Sequence, residues 1–453
     1  MQILQNEEKV SKIIHIILLI LLFLMSLFLA WKAGFETAPD EGMKFELIKY
    51  IAENNKLPHG GDPAIINHMW GTSYAFTPYL SYICSAMFVK VFMLFTSNIK
   101  LLVFASRLVS LLFYILYFEM IWKISKKLFK DKFKYFFVVI CTFLPSIVYL
   151  GTYINTDMFC LFIASFIFLQ WLNGIEKNWD YKTCILLGLG LGLCFLSHYY
   201  YYGYILCSFI IYLISNYIKK NDFKTFFKKG LVIFIITFII SGWWFIRQYR
   251  LYDGDIFALN ISSEYAEKYA DLKHKPSYLE MKAEKCFVFG LWLLESIYTI
   301  YGEFRYNDIR YNPMIYCIFL CLIFVGLLMA ILKLIFDKPD KKLKIKKAKL
   351  IEIKRENILL NSIMLLSIII PIILSAYYSS TSDYQPQGRY LLPGYICLAT
   401  FITYGYKFLF KNKEKAKNIF ITIIIAIFLV MPIYTYFDYL KGNIEVKIEN
   451  RTG

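Results

Sequence analysis

Apolar runs long enough to cross a bilayer recur along the chain, separated by short polar or basic stretches. A helix needs about 20 consecutive apolar residues to cover the hydrocarbon. Residues 13–33 (IIHIILLILLFLMSLFLAWKA), 231–246 and 418–433 are nearly free of charge. The first run is too long, and too poor in small residues at its end, for a cleaved signal peptide, so it reads as a retained span. The pattern predicts eleven spans, at 13–33, 99–122, 135–153, 157–173, 183–198, 201–218, 230–248, 313–336, 357–378, 389–410 and 418–438. The fold class expected is an all-α polytopic membrane protein, a single membrane domain over 1–453 with no linker and no repeat.

Two further apolar segments are read differently. Segment 73–95 is long enough to cross, but it contains Pro78 and Lys90. If it crossed, every later basic loop would change sides. It is therefore predicted to lie in the interface, and 286–301, which is shorter and carries Glu295, is predicted to be interfacial or re-entrant.

Charge supports that parity. The formal net charge is +17, and the basic runs 123–134, 219–229, 338–355 and 411–417 all fall in short loops between apolar stretches. Cytoplasmic loops carry such an excess of Lys and Arg, and anionic headgroups attract it. No aromatic-basic module accompanies it, which argues against nucleic acid as a partner. With the N-terminus inside, two large loops, 34–98 and 249–312, face outward, joined there by turns at 155–157, 198–201 and 379–387. The chain has 58% hydrophobic residues, where soluble domains hold roughly 45–50%. Its ten cysteines show no CxxC pairing or metal spacing, and most lie within spans, where they read as small apolar packing groups. The five histidines form no HExxH array.

The candidate chemistry gathers on the outer side. Thr37-Ala38-Pro39-Asp40-Glu41 emerges just after the first span, with Lys44 close behind. The acids suit a helix N-terminus, yet a carboxylate at the bilayer surface flanked by cations also suits a general base. Asn155-Thr156-Asp157 is either an N-cap or a second acidic contributor on that side. Arg107 lies inside a span, where an ionisable group is costly and either snorkels, pairs or functions. Arg389 follows Gly388 at the outer face and is either an interface anchor or a bidentate phosphate ligand. His59, His68, Trp70 and Tyr74 in the first loop, Arg305 and Tyr306 in the second, and the run 199–202 read as aromatic belt first and cleft lining second.

These motifs, in this order, resemble the GT-C class of polyprenyl-phosphate-dependent membrane glycosyltransferases. The protein O-mannosyltransferases and aminoarabinose transferases are the characterised groups most similar in pattern. The resemblance rests on Pro39-Asp40-Glu41, Thr77-Pro78-Tyr79-Leu80, Ser106-Arg107-Leu108, Asn155-Thr156-Asp157 and Gln387-Gly388-Arg389-Tyr390-Leu391-Leu392-Pro393. It implies an inverting transfer of a sugar from a polyprenyl-phosphate donor to an envelope glycan, lipid or protein on the outer face, in a bacterial plasma membrane. It also implies that the first-loop acid is the base, with the choice between Asp40 and Glu41 open. Glu41 and Asp157 would orient the acceptor or hold a divalent ion. Lys44, Arg107 and Arg389 would meet the departing phosphate, and Asn155, Gln387 and Tyr390 complete the substrate-binding set. The competing readings are a transporter or flippase, or a polymerase, of lipid-linked glycans. A transporter tends to place its charges near the midplane, whereas these gather at one end.

Overall fold

The computed structural model describes residues 2–302, 313–336 and 347–452. The chain enters through α1 (Gln2–Lys32), and the first large loop carries α2 (Glu41–Asn54) and α3 (Leu80–Met93). Next come α4 (Ile99–Leu128), α5 (Phe133–Thr142), α6 (Pro145–Leu150), α7 (Asp157–Lys177), α8 (Tyr181–Phe195), α9 (Gly203–Ile218) and α10 (Phe223–Leu251). The second large loop holds α11 (Leu259–Tyr269), α12 (Pro276–Cys286) and α13 (Phe289–Tyr301). The chain ends in α14 (Pro313–Phe336), α15 (Lys347–Thr381), α16 (Tyr395–Leu409) and α17 (Glu414–Thr452).

Among the described residues, eight helical stretches are long and apolar enough to cross a membrane. They lie in α1, α4, α7, Tyr199–Ile218, α10, α14, α15 and α17. Three of the eleven predicted spans take another form. The segment 135–153 divides into α5 and α6 because Leu144, extended ahead of Pro145, cannot continue the helix. The segment 183–198 yields α8, whose 15 residues rise only about 22 Å. The segment 389–410 begins as a 3-10 turn, Gly388–Gly394, holding Pro393, and becomes α-helical at Tyr395. Segments 73–95 and 286–301 form short α3 and α13, with 14 and 13 residues.

Local signals set several helix starts. Asn98 caps α4 by accepting from Lys100 N at 2.9 Å, Asp180 caps α8, and Asp222 caps α10. Packing then relies on small residues where backbones touch. A Cβ on Gly405 of α16 would fall 1.8 Å from the Gly326 carbonyl oxygen of α14, so that contact admits only hydrogen.

Beside the main apolar core sits a second cluster that includes Phe45, Ile48, Tyr79, Tyr82, Val103 and Trp244. It fastens α2 and α3 onto the adjoining end of α4 and the tip of α10. The first large loop is stitched to the end of α10 and to the second loop as well. Arg247 donates to Pro58 O at 2.7 Å, Gln248 to Phe76 O at 2.9 Å, and Asp271 N to Met69 O at 3.1 Å. The site described next therefore rests on a braced platform.

A candidate active site between the two large loops

Asp40 occupies the N-cap position of α2 in a left-handed conformation (φ 55°), unusual for a residue other than glycine. Its side chain makes no capping bond; instead Tyr74 Oη donates to Asp40 Oδ2 at 2.9 Å. Burial, with Asp40 adding to it, holds the Tyr74 phenol well above its usual pKa, so it stays a donor.

Glu41, the next residue, points the other way and is fully buried. Arg107 Nε and Nη2 donate to its two carboxylate oxygens at 2.8 and 2.7 Å. The remaining Arg107 donors go to Ala30 O, Ala33 O and Gly34 O at 2.7–2.9 Å. All five guanidinium N–H groups are thereby used within the protein. Glu41 Oε1 also accepts from Ile154 N at 3.2 Å. This pair ties α4 to the end of α1 and the start of α2. It sets aside the expectations that Arg107 meets a phosphate and that Glu41 orients an acceptor, because every Arg107 N–H is already used and Glu41 is fully buried against it. What the pair does is fix the backbone on which Asp40 stands.

Asn155 has a similar structural task. It donates to Leu150 O and Tyr153 O and accepts from Met158 N at 2.9 Å, capping α7 rather than facing a substrate. Asp157, the first residue of α7, is thereby set with its carboxylate lining a small chamber of about 80 Å³.

That chamber is also lined by Lys44, Tyr74, His198, Arg389 and Tyr390. A wider cavity of about 590 Å³ shares Tyr74, Thr77, His198, Arg389 and Tyr390 with it. The wider cavity adds Asp40, Trp70, Tyr199 and Tyr200, with Ser262, His274 and Glu280 from the second loop. The two are neighbours divided by the five shared wall residues; Lys44 and Asp157 line the smaller and Asp40 the larger. Gln387 lines neither of these two cavities. His59 and His68 are exposed and also lie outside it. Arg305 and Tyr306 fall outside the described residues.

Arg389 follows Gly388, where a Cβ would meet Ser296 O at 2.4 Å, so the turn packs directly against α13. The guanidinium sits 5.0 Å over the Tyr390 ring, donates Nη2 to Tyr390 Oη at 3.0 Å, and leaves a buried Nε without a partner. Lys44 is 3% exposed and donates to Pro39 O at 2.7 Å, with the rings of Tyr74 and Tyr153 near its ammonium. Burial lowers its pKa to about 8, against the opposing pull of Asp40.

This shift has a sign that can be tested. Unfolded Lys44 binds its proton up to about pH 10.5, so between about pH 8 and that value the empty protein gains stability as pH rises. An anion bound beside Lys44 restores the charge and takes up a proton. Affinity for an anion such as inorganic phosphate should therefore weaken above about pH 8, approaching tenfold per pH unit at most. Titrating binding by the full-length protein from about pH 7 to about pH 9.5 checks this, and Lys44→Arg should flatten the slope because arginine stays charged. A flat wild-type profile would remove Lys44 from the anion site.

Among the described residues, no three His, Cys, Asp or Glu side chains gather as a metal-binding set, so no step is routed through an ion.

His198 is the residue that the pattern of the sequence concealed. It lines both cavities, yet it opens a run of tyrosines whose composition reads as an interface belt. A titratable residue in an outer turn, on the side of Asp40 and Asp157, was the available signal.

A family model described as dolichyl-phosphate-mannose-protein mannosyltransferase matches residues 85–245. No curated protein matches the sequence. Among solved structures, ArnT from Cupriavidus metallidurans bound to undecaprenyl phosphate is similar at 12% identity and TM-score 0.51, over 96% of this chain and 72% of that one. The Archaeoglobus fulgidus oligosaccharyltransferase in the apo form is similar at 12% identity and TM-score 0.52, over 94% of this chain and 55% of that one. The same archaeal protein, AglB, in complex with an inhibitory peptide and a dolichol-phosphate, gives 12% identity and TM-score 0.52, with 95% and 56% covered. The chain thus spans about half the length of the archaeal protein. At such identity the likeness is one of fold. Together with the family match, it bears out the resemblance to the GT-C class read from the motifs.

Proposed function

We propose that this protein transfers a sugar from a polyprenyl-phosphate donor to a hydroxyl-bearing envelope acceptor at the outer face of the membrane. The observation that carries this reading is that Arg389 lines two neighbouring cavities, one with Asp40 and the other with Lys44 and Asp157. A candidate base and a cationic pocket thus border a volume that admits a sugar. The basic ends of α4, α7, α9 and α16 lie at the opposite ends of those helices from the cavity, in line with an outward-facing site.

Asp40 takes the proton of the acceptor hydroxyl as its oxygen attacks the anomeric carbon. The bond between that carbon and the phosphate oxygen breaks, and its electron pair leaves with the polyprenyl phosphate. Attack from the face opposite the phosphate inverts the anomeric centre. Arg389 and Lys44 stabilise the negative charge that grows on the leaving group, where prepositioned cations act most strongly. Asp157 steadies Lys44 and Arg389 electrostatically. An apolar groove of about 880 Å³ between α8, α9 and α10, lined by Leu191, Phe195, Phe209, Phe234 and Phe238, suits a prenyl tail. It reaches Phe195, three residues before His198.

Arg389→Ala should weaken binding of undecaprenyl phosphate roughly 10- to 100-fold, as expected for a lost charged hydrogen bond. Arg389→Lys should recover only part, because an ammonium cannot reproduce the fork. Binding to purified protein in nanodiscs, with thermal stability as a control for folding, measures this. Unchanged affinity in both variants would make Arg389 an interface anchor.

A further inference from the structure

His198 is held with unusual care for a residue in a turn. It precedes the 3-10 turn Tyr199–Tyr201, and its backbone N–H points to Cys160 Sγ at 3.4 Å, three residues after Asp157 in α7. The imidazole lies flat on Tyr200, with centroids 4.7 Å apart and planes 5° apart. Tyr200 in turn packs on Tyr390 at 4.5 Å, whose hydroxyl accepts from Arg389 and donates to Gln385. A chain of rings therefore sets the imidazole relative to the candidate phosphate-binding arginine.

One atom is left over. His198 Nδ1 is buried and has no hydrogen-bond partner, although the ring borders both chambers. Such an orphan costs free energy until a ligand satisfies it. Three classes of ligand group meet this wall. Burial keeps the ring neutral, with its pKa lowered to about 4; Asp157 pulls upward, and Arg389 and Lys44 add to the lowering. A neutral ring offers a phosphate no charge, and the cations beside it serve phosphate better. A prenyl chain offers no hydrogen bond. A hydroxyl satisfies Nδ1 in either tautomer, as donor to a lone pair or acceptor from N–H. The place is also apt, since the junction of the narrow cationic chamber and the broad one is where a group esterified to the phosphate sits.

We propose that His198 reads the transferred sugar, its Nδ1 forming a hydrogen bond with a sugar hydroxyl at the junction of the two chambers. This rests on the polyprenyl-phosphate donor reading above and adds a contact that discriminates the glycosylated lipid from the bare one.

The test compares binding of undecaprenyl phosphate with that of its mannosyl, glucosyl and aminoarabinosyl derivatives, to the full-length protein in nanodiscs. Wild type should hold at least one glycosylated lipid roughly 5- to 30-fold tighter than the bare lipid. His198→Phe, which keeps the stacked ring, should bind the bare lipid as wild type does but lose that preference. His198→Asn places an amide near the Nδ1 position and should restore most of it; His198→Gln, which reaches the Nε2 position, should not. A His198→Phe protein that keeps the preference, or a wild type that has none, overturns the proposal while leaving the phosphate site standing. Failure of wild type to bind even the bare lipid overturns the donor reading, and this one with it. Retained bare-lipid binding by His198→Phe shows that the variant is folded.

Discussion

Asp40→Asn is expected to lower sugar transfer by roughly 10²–10⁴-fold, the usual contribution of a general base. The amide keeps the shape of the carboxylate and still accepts the hydrogen bond from Tyr74 Oη, so the strained backbone at φ 55° should persist. It cannot take a proton from an attacking hydroxyl at neutral pH. Binding of undecaprenyl phosphate should fall far less than transfer, since Arg389 is untouched and Lys44 loses only the upward pull of Asp40 on its pKa. Transfer and binding assays on the same preparation check this, and a comparable loss of both would mean that Asp40 is structural.

Glu41→Ala is expected to have the opposite profile, with stability lost first. It leaves the Arg107 guanidinium buried without its carboxylate, a change that typically costs about 3–5 kcal/mol. It also strips Ile154 N of its acceptor. Yield and thermal stability should fall sharply, and Arg107→Ala should do much the same. Replacing both partners with apolar residues of similar volume should restore much of the stability, because the uncompensated charge goes with them. Thermal unfolding of the single and double variants in detergent measures this. If Glu41→Ala unfolds like wild type, the pair is not the brace described here. Adjacent acids thus separate cleanly, one testable by turnover and the other by melting.

The long spans were legible because length and apolarity alone specify them; 313–336 is helical throughout, as α14. The broken ones were not, because Pro145 and Pro393 interrupt runs whose hydropathy is continuous. Within the site, sidedness brought Asp40, Lys44, Asp157, Arg389 and Tyr390 onto one list, and they line two adjoining cavities. Pairing was out of reach. Glu41 and Arg107 are 66 residues apart, and nothing in either neighbourhood states that one neutralises the other. Asn155 was legible as a helix-start residue; it stands one place before the N-cap Thr156 and accepts from Met158 N, although membership of a motif also suggested a substrate contact. His198 was hidden by its company, since a tyrosine run looks like a belt whether or not its first neighbour faces a cavity.

The most direct measurement is transfer of radiolabelled sugar from polyprenyl-phosphate donors by the purified full-length protein in proteoliposomes, with envelope extract as acceptor. Donors carrying mannose, glucose and aminoarabinose are run in parallel, for wild type and Asp40→Asn. The account predicts that wild type cleaves the sugar–phosphate bond of one donor, releases polyprenyl phosphate and joins the label to an acceptor with inverted configuration, while Asp40→Asn does not. Movement of an intact lipid-linked sugar across the bilayer without cleavage, or equal transfer by Asp40→Asn, would contradict it.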